Sequence, residues 1–484
     1  MEERDFSAIV EEKKEHMDQS FRDSIATISQ QGYRNFIFPK KPKGKLYNLR
    51  TLASIIYLIV FFTLPFIKVD DEPLFMFNVL QRKFIFFGQV FWPQDFFIFA
   101  LGFLVFIVFI ILFTVVFGRV FCGWACPQTI FMEMIFRKIE YWLDGDYNAQ
   151  YRLKEMSWNA YKIRKRITKM AVFYFISFII ANFFLAYIIG MDEVLAMVKE
   201  GIPSNPGTFI SLLGFAAVFF FVYYWFREQV CIVVCPYGRL QGVLLDKKSI
   251  VVAYDYVRGE PRGKIKKIQT DSFGGKEGEW DTGDCVDCSA CVKVCPTGID
   301  IRNGTQMECV NCTACIDACN VIMDKVGKPR GLIRYDSEEN IAHSKKTKFN
   351  WRFVAYSFVL LLLTSVLMIM LATREDVDAR ILRTAGQMFQ TLPDGRVSNL
   401  YNIKLANKTR KDIPVNLKLE NIKGEITVIA KELVVPKGSY FQSPFFVKID
   451  RQLIEKRKTP IVLGIYQGDK KIETLKTTFL GPGY

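Results

Sequence analysis

The chain has 484 residues, half of them hydrophobic and 44 of them phenylalanine, with a formal net charge of +15. The apolar residues arrive in long uncharged runs, the pattern of a membrane protein rather than of a soluble core. Basic residues flanking those runs account for the positive charge without nucleic acid. Only two histidines occur, His16 and His343, neither in an apolar run. This excludes a haem held by histidine pairs between membrane helices and disfavours histidine-rich zinc or copper sites.

Residues 1–45 are charged and polar, carry no signal-peptide pattern, and are expected to form a flexible cytoplasmic arm. Five apolar runs follow, at about 51–67, 96–117, 170–189, 208–226 and 353–372. They approach the roughly 20 residues that a spanning helix needs. Backbone groups in lipid must pair internally, so these runs are predicted to be helices. Four of them fall within 46–250 and the fifth within 351–372. Basic residues cluster before the first run (Lys40, Lys41, Lys43, Lys45, Arg50), between the second and third (among them Arg137, Lys138, Arg164, Lys165, Arg166), and after the fourth (Arg227, Arg239, Lys247, Lys248). The segments 69–95 and 190–207 hold only Arg82, Lys83 and Lys199. The amino terminus, 118–169 and 227–352 are therefore expected inside, and the tail from 373 outside. The aromatic segment 69–95 reads as a short interfacial or re-entrant element, or as an extended loop on the membrane.

Two matched motifs stand directly after the second and fourth runs. GRVFCGWACPQ holds Cys122 and Cys126, and REQVCIVVCPYGR holds Cys231 and Cys235. Both read C-x3-C-P, so runs one–two and three–four look like a parallel repeat. Pro127 and Pro236 suit the first position of a new helix, which puts Cys126 and Cys235 at helix starts. Beside Arg119 or Arg239, such cysteines are expected to have lowered pKa values. Buried free cysteines also serve as small hydrophobes, but paired motifs at equal depth point to soft-metal or redox chemistry. If the pairs meet, four thiolates suit one copper or zinc ion, or a third iron–sulfur cluster. If they stay apart, each suits a two-coordinate Cu(I) or a dithiol–disulfide couple. After the first motif, Pro127, Ile130, Met134 and the cluster Ile139 to Leu143 predict an amphipathic helix on the inner surface, ending near Gly145.

Residues 251–350 contain the other eight cysteines as two copies of C-x2-C-x2-C-x3-C. Zinc sites usually show two separated C-x2-C pairs, and disulfides need an oxidising compartment. The spacing is that of bacterial ferredoxins, in which the fourth cysteine serves the other cluster. The expected ligands are Cys285, Cys288, Cys291 and Cys319 for one [4Fe–4S] cluster, and Cys309, Cys312, Cys315 and Cys295 for the second. Pro296 follows the first copy, whereas Asn320 stands where the pattern has proline after the second. From 373 to 484, alternating apolar and polar residues at 399–407, 415–420, 425–430, 432–436, 445–449, 461–466 and 472–480 predict an antiparallel sandwich of about seven strands, with a small β-barrel as the competing form.

FCGWACPQTIFME, CPYGRLQG, YDYVRGEPRGK, the double ferredoxin motif and CIDACNVIMDKVGKPRGLIRY occur in the order seen in the cytochrome c oxidase accessory proteins called CcoG, FixG or RdxA, and the chain resembles that family from about Tyr47 onward. The resemblance implies a multi-pass protein of the bacterial inner membrane. Its fold would be a five-helix transmembrane bundle with an inserted two-cluster ferredoxin-like domain and a C-terminal immunoglobulin-like sandwich outside. The implied activity is reduction of Cu(II) to Cu(I) for assembly of cbb3-type cytochrome c oxidase, with copper-linked cysteines at Cys122, Cys126, Cys231 and Cys235. Oxidase assembly factors or a copper chaperone or transporter, an unidentified electron donor and a second copy of the chain are the implied partners. Arg258 and Arg262, in the matching segment Asp255–Lys264, are candidate anion or headgroup contacts, or part of a solvated loop. Two other functions fit the same motifs: a quinol-oxidising subunit feeding a partner reductase, and a non-enzymatic assembly chaperone docking through residues 373–484.

Overall fold

Long apolar stretches leave the backbone no partner but itself, and the chain answers with helices. In the computed structural model, five helices among the described residues are long and apolar enough to cross a membrane: Lys45–Phe66, Phe96–Phe117, Ala160–Ile189, Phe209–Phe226 and Phe353–Ala372. The third begins ten residues before the apolar run, because Ala160–Lys169 extends the same helix with basic residues. The structure describes residues 26–482 apart from 30, 71, 80–81, 93–94, 205, 265–282, 344–350, 375–376, 385–387, 410, 430–432 and 455. The chain divides into two compact units. One comprises the described parts of Met1–Thr63, Phe103–Phe184 and Val194–Leu363, and the other those of Leu64–Gly102, Leu185–Glu193 and Thr364–Tyr484.

In the first unit, the arm expected over 1–45 lies outside the described residues as far as 25. From Arg34 onward it is tied down rather than free. Arg34 is buried against Glu228 and donates to Gln229 Oε1 at 3.1 Å. Tyr141 donates to Pro39 O at 3.2 Å, and Lys41 N donates to Asp146 Oδ1 at 3.0 Å. The start of the first span is capped from a distance: Asp317, from the helix Ala314–Val326, accepts from Leu46 N at 3.4 Å and Tyr47 N at 2.8 Å. A carboxylate there satisfies orphan donors and complements the helix dipole. Gly44 makes this approach possible, since a Cβ at that position would lie 2.2 Å from Asp317 Cγ.

Both motif-bearing spans end on a left-handed residue four positions before the first cysteine: Gly118 (φ 54°) and Arg227 (φ 49°). For arginine this conformation costs on the order of 1–3 kcal/mol. It is held by a bidentate pair with Glu140, at 3.0 and 2.7 Å. Glu140 has no exposed surface and also binds Lys169 at 2.5 Å. Arg137, nearly as buried, joins Glu133 and Glu228. The segment expected as an amphipathic surface helix is therefore buried on its polar face too. It runs as Pro127–Ile130, a π-helical turn Phe131–Phe136, and Arg137–Leu143. Its polar face is buried because it holds ionic partners 29 and 87 residues away.

The eight-cysteine segment is framed by the antiparallel strands Val251–Tyr254 and Ile333–Asp336, in register from Val251↔Asp336 to Tyr254↔Ile333. Helices Ala290–Lys293 and Ala314–Val326 each start after the second cysteine of a triplet.

In the second unit, residues 75–91 form a three-stranded antiparallel sheet, Phe75–Asn78, Lys83–Phe86 and Gln89–Phe91, around buried Met76, Ile85, Val90 and Trp92. This is neither the re-entrant element nor the extended loop considered from sequence. Asp95 is buried with Arg374 at 2.6 Å and Lys408 at 2.7 Å. The C-terminal region has one sheet in the order Gly424–Val428, Tyr440–Asp450, Arg396–Asn407, Val377–Arg383, and a three-stranded sheet Asn416–Leu419, Lys458–Gln467, Lys470–Leu480. Both contribute to one apolar core that includes Tyr401, Phe445, Leu463 and Phe479.

Replacing Glu140 by Gln leaves Arg227 buried without its carboxylate, which for a broken buried pair costs about 3–5 kcal/mol. Thermal unfolding in detergent is expected to show a loss of that order. Burial alone would raise the Glu140 carboxyl, but Arg227, Lys169 and Arg137 outweigh it and hold it well below the usual carboxylate range. The stabilisation is thus complete above the unfolded value of roughly 4.3 and fades as pH falls below it. The Glu140→Gln variant is expected to show a flatter acid limb than the parent.

Candidate functional site

The cysteines expected to act together are brought together. Cys285, Cys288, Cys291 and Cys319 line one cavity, with Arg302 and Ile333. Cys295, Cys309, Cys312 and Cys315 line another, which Cys291 also borders. The two triplet loops share a backbone device: Asp287 (φ 47°) and Ser289 (φ 53°) in the first match Asn311 (φ 53°) and Thr313 (φ 65°) in the second. Left-handed backbone at a residue with a Cβ costs roughly 1–2 kcal/mol. Its repetition at equivalent positions shows that each loop is bent around its cavity at a cost. Burial pushes the thiols of Cys291, Cys309 and Cys319 up to about 12 and that of Cys312 up to about 11. Bare sulfur here is neutral, and a cation is needed to keep it as thiolate. Burial also raises Cys295, against hydrogen bonds from Thr297, Ile299 and Gly298. Such bonds to ligand sulfur tune cluster potentials.

Cys126 and Cys235 are the N-caps of the helices Pro127–Ile130 and Pro236–Leu244, each with proline at the first position, as the motif predicts. Cys122 lies in the short helix Val120–Trp124 and Cys231 in a π-helical turn, Val230–Val234. Such turns are frequent at functional sites. The two pairs lie within electrostatic reach of each other: the thiol of Cys122 feels Cys126 and Cys235, and that of Cys231 feels Cys126, Cys122 and Cys235. Burial pushes Cys122 up to about 11 and outweighs Arg119, and burial with the neighbouring sulfurs takes Cys231 up to about 12. Among the described residues, no group of three or more His, Cys, Asp or Glu side chains closes into single-ion geometry. The four thiols are gathered but not converged.

Cys122 is packed with Val294, Val310, Cys312 and Ala314, with Cys315 alongside, so the first motif adjoins the second cluster loop. Gly123 permits this, because a Cβ there would meet Val310 O at 2.5 Å and Asn311 O at 2.8 Å. Arg50, from the first span, donates to Gly123 O at 2.7 Å. Trp124 donates to the Tyr335 hydroxyl at 3.2 Å, which donates to Asn311 O at 3.1 Å. Arg119 reaches Gln241 Oε1 at 3.2 Å and Met307 O, and Cys122 Sγ donates to the same Gln241 oxygen at 3.1 Å. Sequence reasoning passed over Gly123, Tyr335, Asp317 and Gln241. The only available signal was Gln241 as a lone amide among Leu240, Val243 and Leu244. Arg258 and Arg262 are not free for anions or headgroups: Arg258 pairs with Asp284 at 2.5 Å, and Arg262 donates to Asn303 Oδ1 at 3.3 Å.

Residues 226–338 match the family model of a 4Fe-4S dicluster domain, residues 99–147 that of a 4Fe-4S binding domain, and residues 367–482 that of the Ig-like fold at the C-terminus of FixG. The chain is 35% identical over 398 residues to the protein RdxB of Cereibacter sphaeroides, covering 79% of this chain and 81% of that one. The chain belongs to the FixG/RdxA family. RdxA of the same organism is 34% identical over 406 residues, covering 81% of this chain and 83% of that protein. The nitrogen fixation protein FixG of Rhizobium meliloti is 34% identical over 428 residues, covering 80% of each. This FixG-family chain is a membrane iron–sulfur electron-transfer protein with an Ig-like C-terminal domain. The donor set fits the clusters: soft sulfur throughout, two groups of four, each lining its own cavity.

Asn320 replaces the pattern's proline for a visible reason. The helix Ala314–Val326 runs unbroken through it, and Asn320 Oδ1 accepts from Gly331 N at 3.0 Å. Proline inside a helix costs about 3 kcal/mol or more. Asn320→Pro, though it restores the ferredoxin pattern, is therefore expected to displace Cys319 and lower iron content toward one cluster per chain, read by iron and sulfide analysis.

Proposed function

We propose that this protein reduces Cu(II) to Cu(I) at the inner face of the bacterial cytoplasmic membrane, in support of cbb3-type cytochrome c oxidase assembly. Its eight ferredoxin-type cysteines hold two [4Fe–4S] clusters and its C-terminal domain lies outside. When bound, the clusters supply electrons one at a time, which is what Cu(II) needs to become Cu(I). The observation that carries the reading is the shared packing of Cys122 with Cys312 and Cys315, which sets the thiol site against the second cluster loop. Four soft thiols favour Cu(I) over Cu(II), so the site stabilises the product of reduction and raises the copper potential. The basic residues before the first span, between the second and third, and after the fourth support the orientation. The expected division, with a ferredoxin-like domain over 251–350 and the outer domain from 373, is part of the same proposal.

One observation favours a second reading. The 4Fe-4S binding domain model covers residues 99–147, whose only cysteines are Cys122 and Cys126. Four thiols holding a third cluster would satisfy it.

Iron and sulfide analysis of anaerobically isolated protein separates the two. About eight of each per chain is expected for two four-iron clusters; about twelve would assign the thiol site to iron. Replacing both Cys122 and Cys231 by Ser is expected to abolish copper binding and Cu(II) reduction while the cluster absorbance stays. Unchanged copper affinity in that variant would remove copper from the site.

A further inference from the structure

We infer that Arg50 and Arg119 set the order of the two clusters. As buried cations without carboxylate partners, they make the second cluster the more easily reduced, so that an electron on the first moves to the one beside Cys122. The inference rests on the two-cluster part of the proposed function and not on copper.

Both arginines are 3% exposed, and a guanidinium stays charged inside proteins. Their hydrogen bonds go to neutral groups. Arg50 Nε donates to Gly123 O at 2.7 Å. Arg119 donates from Nε to Gln241 Oε1 at 3.2 Å and from Nη1 to Met307 O, two residues before Cys309. Arg50 Nη2 is buried and makes no hydrogen bond among the described residues. Arg50 lines a cavity with Cys312, which also borders the cavity of the second cysteine set. Burial raises the thiols of Cys312 and Cys309; Arg50 works against it at Cys312, and Arg119 at Cys309. An arginine that merely flanked the first span would reach out to headgroups, whereas Arg50 is buried.

The first set is surrounded differently, because its cations are matched by carboxylates. Arg302, which lines that cavity, pairs with Asp287 and Asp300, each at 2.6 Å. Asp284, adjoining Cys285, holds Arg258 at 2.5 Å and Lys328 at 3.4 Å. Two carboxylates near the second set do not undo the difference. Glu133 is paired with Arg137 at 2.9 Å. Asp317 lies midway between Cys315 and Cys319, so its charge acts on both sets.

A buried charge without a counter-charge is costly. What compensates it here is the bound cluster, whose four thiolates outweigh the charge of the iron–sulfide core. The cluster is thus an anion, and a stronger one when reduced. An adjacent cation favours the reduced form, since net charge helps set cluster potentials. The step so favoured is a one-electron transfer: the first cluster is oxidised, the second is reduced, and no bond or proton changes hands.

The test is a redox titration of the full-length, anaerobically isolated protein, poised with dithionite and followed by electron paramagnetic resonance. Cys288→Ser, at the exposed cysteine of the first set, identifies that cluster's signal. Glutamine places its Nε2 where arginine has Nε, so Arg50→Gln keeps a donor for Gly123 O and removes the charge, while Arg50→Lys keeps the charge. The parent's second cluster is expected to have the higher potential. Arg50→Gln is expected to lower that potential alone, moving the electron's partition between the clusters about tenfold toward the first, which is about 59 mV for a one-electron couple. Arg50→Lys is expected to stay near the parent. Arg119→Gln, which keeps a donor for Gln241, is expected to shift the same signal the same way, and it carries the test if Arg50→Gln loses iron. A glutamine variant that holds its iron and leaves the second potential unchanged overturns the inference, as does one that moves both potentials alike, or a lysine variant shifted as far as glutamine. A parent with about four irons would remove the two-cluster reading and the inference with it; about eight irons with unmoved potentials would remove the inference alone.

Discussion

The arrangement depends on one close approach. Gly123 lies where the backbone of Val310 and Asn311 passes, and any side chain there would collide with carbonyl oxygens at 2.5 and 2.8 Å. Because residue 123 is bare, the helix carrying Cys122 can press into the loop between Cys309 and Cys312. Cys122, Cys312 and Cys315 share one buried cluster of side chains. Arg50 fixes the approach from the first span, and Asp317 fixes the same span from between Cys315 and Cys319. The eight-cysteine segment is thus joined to the first span by hydrogen bonds at residues adjoining its own cysteines.

A second constraint lies where the spans end. The repeat requires a sharp change of direction before each cysteine pair. The first copy uses Gly118, which adopts a left-handed conformation at little cost, and the second uses Arg227, which does not. Arginine serves there because its guanidinium is the bidentate partner of fully buried Glu140. The ionic network of Glu140, Arg137, Lys169 and Glu228 therefore both braces a strained turn and joins the segment after the first motif to the segment before the second. Buried ion pairs give little net stability over apolar packing, but breaking one is costly. They suit a place where geometry matters more than stability.

Much of this was legible from residue spacing. Cysteine intervals of two and three residues have few other uses, and they grouped the eight cysteines as the cavities group them. Pro127 and Pro236 marked helix starts because a first position needs no N–H donor. Each of the seven alternating segments in the tail contains a strand, although the ends of 425–430 and 432–436 lie outside the described residues. The edge strand Val377–Arg383 was missed because its arginines mask the alternation. The small sheet at 75–91 was missed for the opposite reason: its phenylalanines fall opposite buried Met76 and Ile85, so apolar residues stand on both faces and no alternation shows. Glu140 and Gly123 left no signal in the sequence, and Gln241 only that of a lone amide among apolar residues. Gln241 and Glu140 act through partners 119 and 87 positions away, and Gly123 through backbone further still. No local periodicity encodes a contact of that range. The burial that raises the Cys122 and Cys231 thiols could not be read either, because charge is visible in a sequence and burial is not.

The central claim is that electrons held on iron–sulfur clusters pass to copper at the thiol site. Anaerobic stopped-flow mixing of pre-reduced protein with Cu(II) tests it most directly. The account predicts that cluster absorbance recovers and Cu(I) forms at one common rate, one Cu(I) for each electron lost. Clusters that stay reduced in the presence of excess Cu(II), or reoxidise without producing Cu(I), would contradict it.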